Sequence, residues 1–146
     1  MNRQKKAEAL FKSGYNCAQS VFGAFCDDLG IDFDTAMKLS QSFGGGMGRL
    51  REVCGACTGA FMVLGLKFGT ADAADGQAKK ELYEIVQKFA ERVKEENGSG
   101  SIVCRDLLGL TGASVPKPAE RTDEYYKKRP CVELVGISAG LLGEFI

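Results

Sequence analysis

Six cysteines and no histidine define the chemistry that this sequence can carry. Without histidine, the chain has no Cys–His or Ser–His pair for nucleophilic catalysis, and no imidazole to bind zinc, iron or haem. In a reducing compartment, cysteines are more often reactive or metal-binding than joined in structural disulfides. The composition therefore favours sulfur chemistry, either thiol redox reactions or metal binding by thiolates.

Four of the cysteines lie at the predicted beginnings of helices: Cys17, Cys54, Cys104 and Cys131. The first turn of a helix presents free backbone N–H groups and the positive end of the helix dipole. Both lower the pKa of a thiol and favour the thiolate, which is the nucleophile and also the metal ligand. We therefore predict these four as catalytic residues or metal ligands, and we expect them to converge on one site.

The other two cysteines carry weaker signals. Cys26 follows Cys17 by nine residues and is about half a turn out of phase with it on a helix, which favours a structural role. Cys57 completes the Cys-x-x-Cys spacing of dithiol redox sites, but no predicted strand precedes it as in thioredoxin-like proteins. Its role stays open.

Some charged and aromatic residues could assist such a site. Arg49 and Arg51 lie just upstream of Cys54 and could stabilise thiolates, although a solvated turn is the simpler interpretation for at least one of them. Tyr15, Tyr125 and Tyr126 could donate hydrogen bonds, but the sequence does not require it.

The segment from Val53 to Leu66 has no charged residue, so a helix there is apolar on every side. Such a helix belongs in the interior of a bundle, and we expect it to be the most buried element. Gly55 and Gly59, four residues apart, leave one side of its backbone bare for a close neighbour. The glycine run at 44–48 would let the backbone pass close to the sulfur site.

Apolar periodicity and capping residues predict further helices, at 3–13, 17–28, 34–43, 77–96, 103–108 and 130–146. Residues 109–129 contain glycine, proline and charged residues and are predicted as a surface loop. Alternating valine and isoleucine are too sparse for a sheet. The predicted fold class is all-α, a compact helical bundle around a buried central helix at about 53–66. Residues 1–146 are expected to form a single helical, cysteine-rich domain.

The charge balance narrows the choice of partners. The formal net charge is zero, so no basic excess is available to neutralise nucleic-acid phosphates. The longest uncharged segment is too short to span a bilayer, and no signal-peptide core follows the basic N-terminus. We expect a cytoplasmic protein with an unidentified redox partner, no nucleic-acid binding and no membrane insertion. A homo-oligomer is compatible with the sequence.

The cysteines and their neighbouring glycines also form a recognisable pattern. It resembles that of the bacterial C-GCAxxG-C-C family of redox-active proteins, and the resemblance covers nearly the whole chain. By this match, Cys17, Cys54, Cys104 and Cys131 are the shared thiols, whereas Cys26 and Cys57 are additional. The matching segments are Gly14-x-Asn16-Cys17-Ala-Gln, Gly44-Gly-Gly46, Cys54-Gly-Ala-x-x-Gly59, Cys104-x-x-Leu107-Leu-Gly and Arg129-Pro-Cys131.

Three interpretations of the cysteines stay open. The first is a thiol redox protein that cycles between dithiol and disulfide or carries electrons. The second is a binding module whose four thiolates hold zinc or a [2Fe–2S] cluster, since both accept four-cysteine ligation. The third is a structural bundle whose cysteines only pack.

Overall fold

The computed structural model describes residues 2–146 and consists of helices joined by loops. A 3₁₀ turn at Cys26–Leu29 extends the second helix. The helices are α1 (Arg3–Lys12), α2 (Cys17–Phe25), α3 (Phe33–Gln41), the short turn α4 (Gly44–Met47), α5 (Gly55–Phe68), α6 (Gly76–Glu96), α7 (Cys104–Leu108), α8 (Asp123–Lys128) and α9 (Cys131–Phe145).

The predicted all-α class is confirmed. Within residues 2–146 there is no strand, and the one β-type contact is an isolated antiparallel bridge between Val53 and Val103. In that same part of the chain, no helix is both long enough and apolar enough to cross a membrane.

The predicted loop at 109–129 contains a helix that the sequence interpretation missed. The side chain of Thr122 accepts a hydrogen bond from the backbone N–H of Tyr125 and thereby caps α8. Acidic residues occupy its first turn and basic residues its last, as the helix dipole favours. The preceding glycines and prolines obscured this signal.

The hydrophobic core lies between α1, α2, α5, α6 and α9. As expected, α5 is buried along most of its length, with eight of its 14 residues inside. It is not the most buried element, however, because eight of the nine residues of α2 are buried. The difference arises because other helices cover α2 on several sides, whereas the C-terminal end of α5 is exposed to solvent. Leu66, near that end, is 47% exposed.

Two of the three glycines of α5, Gly55 and Gly59, allow its backbone to contact α2 directly. A Cβ atom placed on Gly59 would lie 2.6 Å from the carbonyl oxygen of Ala18, and one on Gly55 would lie 3.0 Å from the Cβ of Cys17. The predicted close approach is therefore present, and α2 is the neighbour. This contact brings the beginnings of α2 and α5 together.

The glycine run turns the chain with a left-handed backbone. Five successive residues, 45–49, have positive φ angles between 63° and 69°. Glycine adopts this conformation freely, but Met47 and Arg49 do so at a cost of about 1–2 kcal/mol each. A Cβ on Gly46 would lie 2.6 Å from the Cβ of Cys104, so this turn passes against a cysteine as predicted.

Candidate functional site

The four cysteines predicted at helix starts line one cavity of about 480 Å³, which we call the thiol cavity. Cys17, Cys104 and Cys131 are the first residues of α2, α7 and α9. Cys54 is the N-cap residue of α5. Four helix N-termini therefore surround a single cavity, and all six cysteines of the chain carry free thiols.

A capping box positions Cys17. The side chain of Asn16 accepts a hydrogen bond from the backbone N–H of Gln19 at 2.9 Å, and the side chain of Gln19 accepts one from the Asn16 N–H at 3.0 Å. The Gln19 amide also donates to the carbonyl of Met37 at 3.0 Å. These bonds begin α2 at Cys17 and tie that point to α3.

The short antiparallel pairing at Val53 and Val103 positions two more thiols. The backbone N–H of Cys54 donates to Ile102 at 2.7 Å, and that of Cys104 donates to Glu52 at 2.5 Å. Cys54 and Cys104 are thus held side by side, although 50 positions separate them. The sequence contained no sheet signal for this pairing because it is only one bridge long.

The thiols of Cys17 and Cys131 both line the cavity, and each shifts the pKa of the other. Hydrogen bonding to the Cys17 thiol, the positive charges of Arg129 and Arg121, and the hydroxyl of Tyr125 together lower the pKa of Cys131 to about 7, against the effect of burial. Because the Cys17 thiol donates to this sulfur and is itself buried, the pKa of Cys17 is raised. The pair therefore holds its negative charge on Cys131.

The expectation that all four thiols have lowered pKa values is wrong for Cys17 and Cys54. Burial and the neighbouring Cys57 raise the pKa of Cys54 well above its ordinary value. A helix N-terminus favours a thiolate, but the removal of water from a buried sulfur disfavours it more strongly. At Cys131, where arginine and tyrosine side chains also approach, the pKa is lowered instead.

Four arginines line the thiol cavity: Arg49, Arg51, Arg121 and Arg129. Arg51 is only 2% exposed, and its Nη1 donates to the sulfur of Cys104 at 3.6 Å. The guanidinium of Arg121 lies over the ring of Phe11, 4.1 Å from its centroid. Sequence reasoning singled out Arg49 and Arg51 but missed Arg121 and Arg129, although the adjacency of Arg129 to Cys131 could have identified one of them.

Cys26 and Cys57 do not line the cavity. Cys57 is 1% exposed in the core, where burial raises its pKa to about 12. Its three-residue separation from Cys54 therefore does not produce a dithiol facing the cavity. Cys26 is also buried, and its thiol lies 3.5 Å from the carbonyl of Gly23. Both positions agree with packing roles.

Ligation of zinc or an iron–sulfur cluster needs several donors around one centre. Among residues 2–146, no three cysteine or carboxylate side chains are grouped closely enough to hold a metal ion. The donors as arranged therefore do not fit a four-cysteine centre. Metal binding by Cys17, Cys54, Cys104 and Cys131 stays a prediction.

The fold and the cavity define an all-α protein that gathers thiols from four helix N-termini. The chain belongs to the family described as putative redox-active protein (C_GCAxxG_C_C), whose model matches residues 15–145. The resemblance seen in the sequence is thereby confirmed. Comparisons with curated proteins and with solved structures gave no match.

Proposed function

We propose that this protein is a dithiol redox protein in which Cys131 is the nucleophile and Cys17 the resolving thiol. The observation that carries the proposal is that these two thiols line one cavity and shift each other's pKa in opposite directions. A nucleophilic thiolate with a second thiol in contact is the arrangement that thiol–disulfide exchange requires. Membership of a redox-active family supports the same chemistry.

The reaction would proceed in two exchanges. The Cys131 thiolate attacks one sulfur of a substrate disulfide, forming a mixed disulfide and releasing the first substrate thiolate. Cys17 then transfers its proton to that leaving group and attacks the sulfur of Cys131. The second substrate thiolate leaves, a Cys17–Cys131 disulfide forms, and two electrons have passed to the substrate.

The surrounding residues have separate parts in this scheme. Arg129 and the Tyr125 hydroxyl stabilise the attacking thiolate by charge and by hydrogen bonding. Cys54 and Cys104 line the same cavity, and both interact electrostatically with Cys17. We include them in the proposed site as thiols that could exchange with a Cys17–Cys131 disulfide.

Trapping of the mixed disulfide tests this proposal. The reduced protein is treated with hydroxyethyl disulfide, acid-quenched and mapped by mass spectrometry. We expect a Cys17–Cys131 disulfide in the wild type and an accumulated mixed disulfide on Cys131 in the Cys17→Ser variant. Cys26→Ser is the matched control and should behave as the wild type. Modification that begins at another cysteine, or no reaction in the folded protein, would overturn the assignment.

The alternative predicted from the sequence, a four-cysteine metal or cluster site, has its four cysteines on one cavity but not in an arrangement that fits a metal centre. The absorption spectrum of protein purified without oxygen, with elemental analysis, separates it from the first. Visible charge-transfer bands or stoichiometric zinc, lost in the Cys104→Ser variant, would support the metal site. A colourless, metal-free protein that still exchanges disulfides supports the dithiol.

A further inference from the structure

The charge on the walls of the thiol cavity is unlike that of the whole protein. The chain has 19 basic and 19 acidic residues, yet the cavity is lined by four arginines and, among the described residues, by no aspartate or glutamate. A cavity with one sign of charge and apolar walls concentrates ligands of the opposite sign. The residues that line the cavity therefore favour a negatively charged ligand.

These arginines also lack the ion pairs that other arginines of the protein make. Arg92 lies 3.1 Å from Glu144, and Arg105 lies 3.1 Å from Glu52. Within residues 2–146, none of the four cavity arginines has a carboxylate partner. Their charge is therefore not neutralised by a carboxylate, although Arg121 and Arg49 also donate to backbone carbonyls.

Arg51 gives an independent indication of a ligand. Its Nε donates to the hydroxyl of Ser114 at 2.9 Å and its Nη1 to Cys104, but its Nη2 is buried without any acceptor. A buried donor of a charged group without a partner is costly, and such groups are rare in native proteins. An anionic oxygen inside the cavity would provide the missing acceptor.

The thiolates of the site do not account for this positive charge. One thiolate on Cys131 balances one guanidinium, whereas four guanidiniums line the cavity. Moreover, the sulfur of Cys104 receives Nη1 of Arg51 and leaves Nη2 free. The excess of positive charge therefore calls for a negatively charged occupant.

We infer that the thiol cavity binds a small disulfide that carries a carboxylate or similar anionic group, with Nη2 of Arg51 as one of the donors that recognise it. The inference rests on the proposed dithiol function and names its substrate class. A cavity of about 480 Å³ is of the size that proteins use for small molecules, which favours a low-molecular-weight substrate over a protein segment.

Three disulfides of similar length and different charge test the inference: dithiodipropionate (anionic), hydroxyethyl disulfide (neutral) and cystamine (cationic). The rate of Cys131 oxidation in the reduced full-length protein is divided by the rate for the same reagent on the urea-unfolded chain, which removes differences in intrinsic reactivity. We expect the normalised rate to be at least about tenfold higher for the anion than for the cation, with the neutral reagent between them. Added salt should narrow the difference.

Substitutions of the arginines identify which of them cause the expected charge preference. Arg51→Gln should reduce the anion-to-cation ratio several-fold, and Arg51→Lys should restore most of it. Arg92→Gln removes an equal charge from the α6 surface and is the control, with an unchanged ratio. Because Arg51 is buried, Arg129→Gln provides a second variant at a half-buried position and should also lower the ratio.

The outcomes separate this inference from the proposed function. No reaction of Cys131 with any of the three reagents defeats the dithiol proposal itself. Reaction at equal normalised rates leaves the dithiol proposal standing and overturns the anionic substrate. A charge preference that Arg51→Gln and Arg129→Gln leave unchanged overturns the assignment of the cavity arginines.

Discussion

Cys131 and Cys57 are both buried cysteines near the N-termini of long apolar helices, yet their thiols differ greatly in acidity. Cys131 is 6% exposed and its pKa is lowered to about 7, whereas Cys57 is 1% exposed and its pKa is raised to about 12. Cys57 is packed in the hydrophobic core, where burial is the main cause of its raised pKa. Cys131 faces a thiol, two arginines and a tyrosine.

The comparison teaches that burial alone does not determine whether a cysteine of this protein is reactive. Water is largely excluded from both sulfurs, so each loses solvation as a thiolate. Only Cys131 recovers that loss through hydrogen bonds and positive charge supplied by α2, α8 and the residues before α9. Neighbours contributed by other parts of the chain decide the chemistry.

The largest expected effect is the difference in reactivity between these two thiols. At pH 7, pKa values of about 7 and about 12 give thiolate fractions that differ by about 10⁵, and the lower nucleophilicity of the more acidic thiol reduces the rate difference to about 10²–10³. Limited access to Cys57 would enlarge it. Stopped-flow alkylation of the reduced protein with peptide mapping measures both rates.

Two single-residue variants test whether the fast alkylation belongs to Cys131 and not to Cys57. Cys131→Ser should abolish the fast phase of alkylation at pH 7, and Cys57→Ser should leave that phase unchanged. A fast phase that persists in Cys131→Ser and disappears in Cys57→Ser would reverse the comparison.

The next effect concerns the contact that holds the cavity thiols in place. Gly59→Ala puts a methyl group 2.6 Å from the Ala18 carbonyl, so α2 and α5 must separate, at an expected cost of about 1–3 kcal/mol in the free energy of unfolding. Gly65→Ala, on the same helix, meets no atom within 4 Å and should instead stabilise by about 0.5–1 kcal/mol. Urea unfolding monitored by circular dichroism gives both values.

The Gly59→Ala variant should also react more slowly at Cys131, because displacement of α2 moves Cys17 away from it. Equal stability changes for the two alanine variants would show that the close contact of α2 and α5 is not maintained in solution.

The smallest expected effect is that of one charge beside Cys131. Arg129→Gln removes a positive charge that lowers the pKa of this thiol, so the pKa should rise. Alkylation at pH 7 should slow several-fold, since an opposite charge close to an ionisable group shifts its pKa by about 1–3 units and weaker contacts shift it less. The pH profile should then have its midpoint above about 7, the value for the wild type.

Arg92→Gln, on the distant surface of α6, should leave the midpoint of the profile unchanged. An unshifted profile in Arg129→Gln would mean that Cys17, Tyr125 and Arg121 stabilise the thiolate without Arg129.

Local signals in the sequence predicted most of the helices and the position of four cysteines at their beginnings. Asn16 begins α2 by hydrogen bonds to residues three positions away, and such short-range interactions are visible in the sequence. The glycine spacing of α5 likewise predicted a close neighbour. The α8 helix was missed although its Thr122 cap is equally local, because the glycines and prolines before it favoured a loop interpretation.

The sequence by itself thus determined where the helices begin, which thiols lie at their N-termini and where the backbone permits close approach. Only the tertiary structure decided that Cys17 and Cys131 line the same cavity, that Cys57 lies in the core and that four arginines line the cavity with the thiols. The physical reason is the distance along the chain over which each interaction acts. Capping and helix periodicity depend on residues within a few positions, whereas the pKa of a buried thiol depends on charges and hydrogen bonds from segments that only folding brings near it.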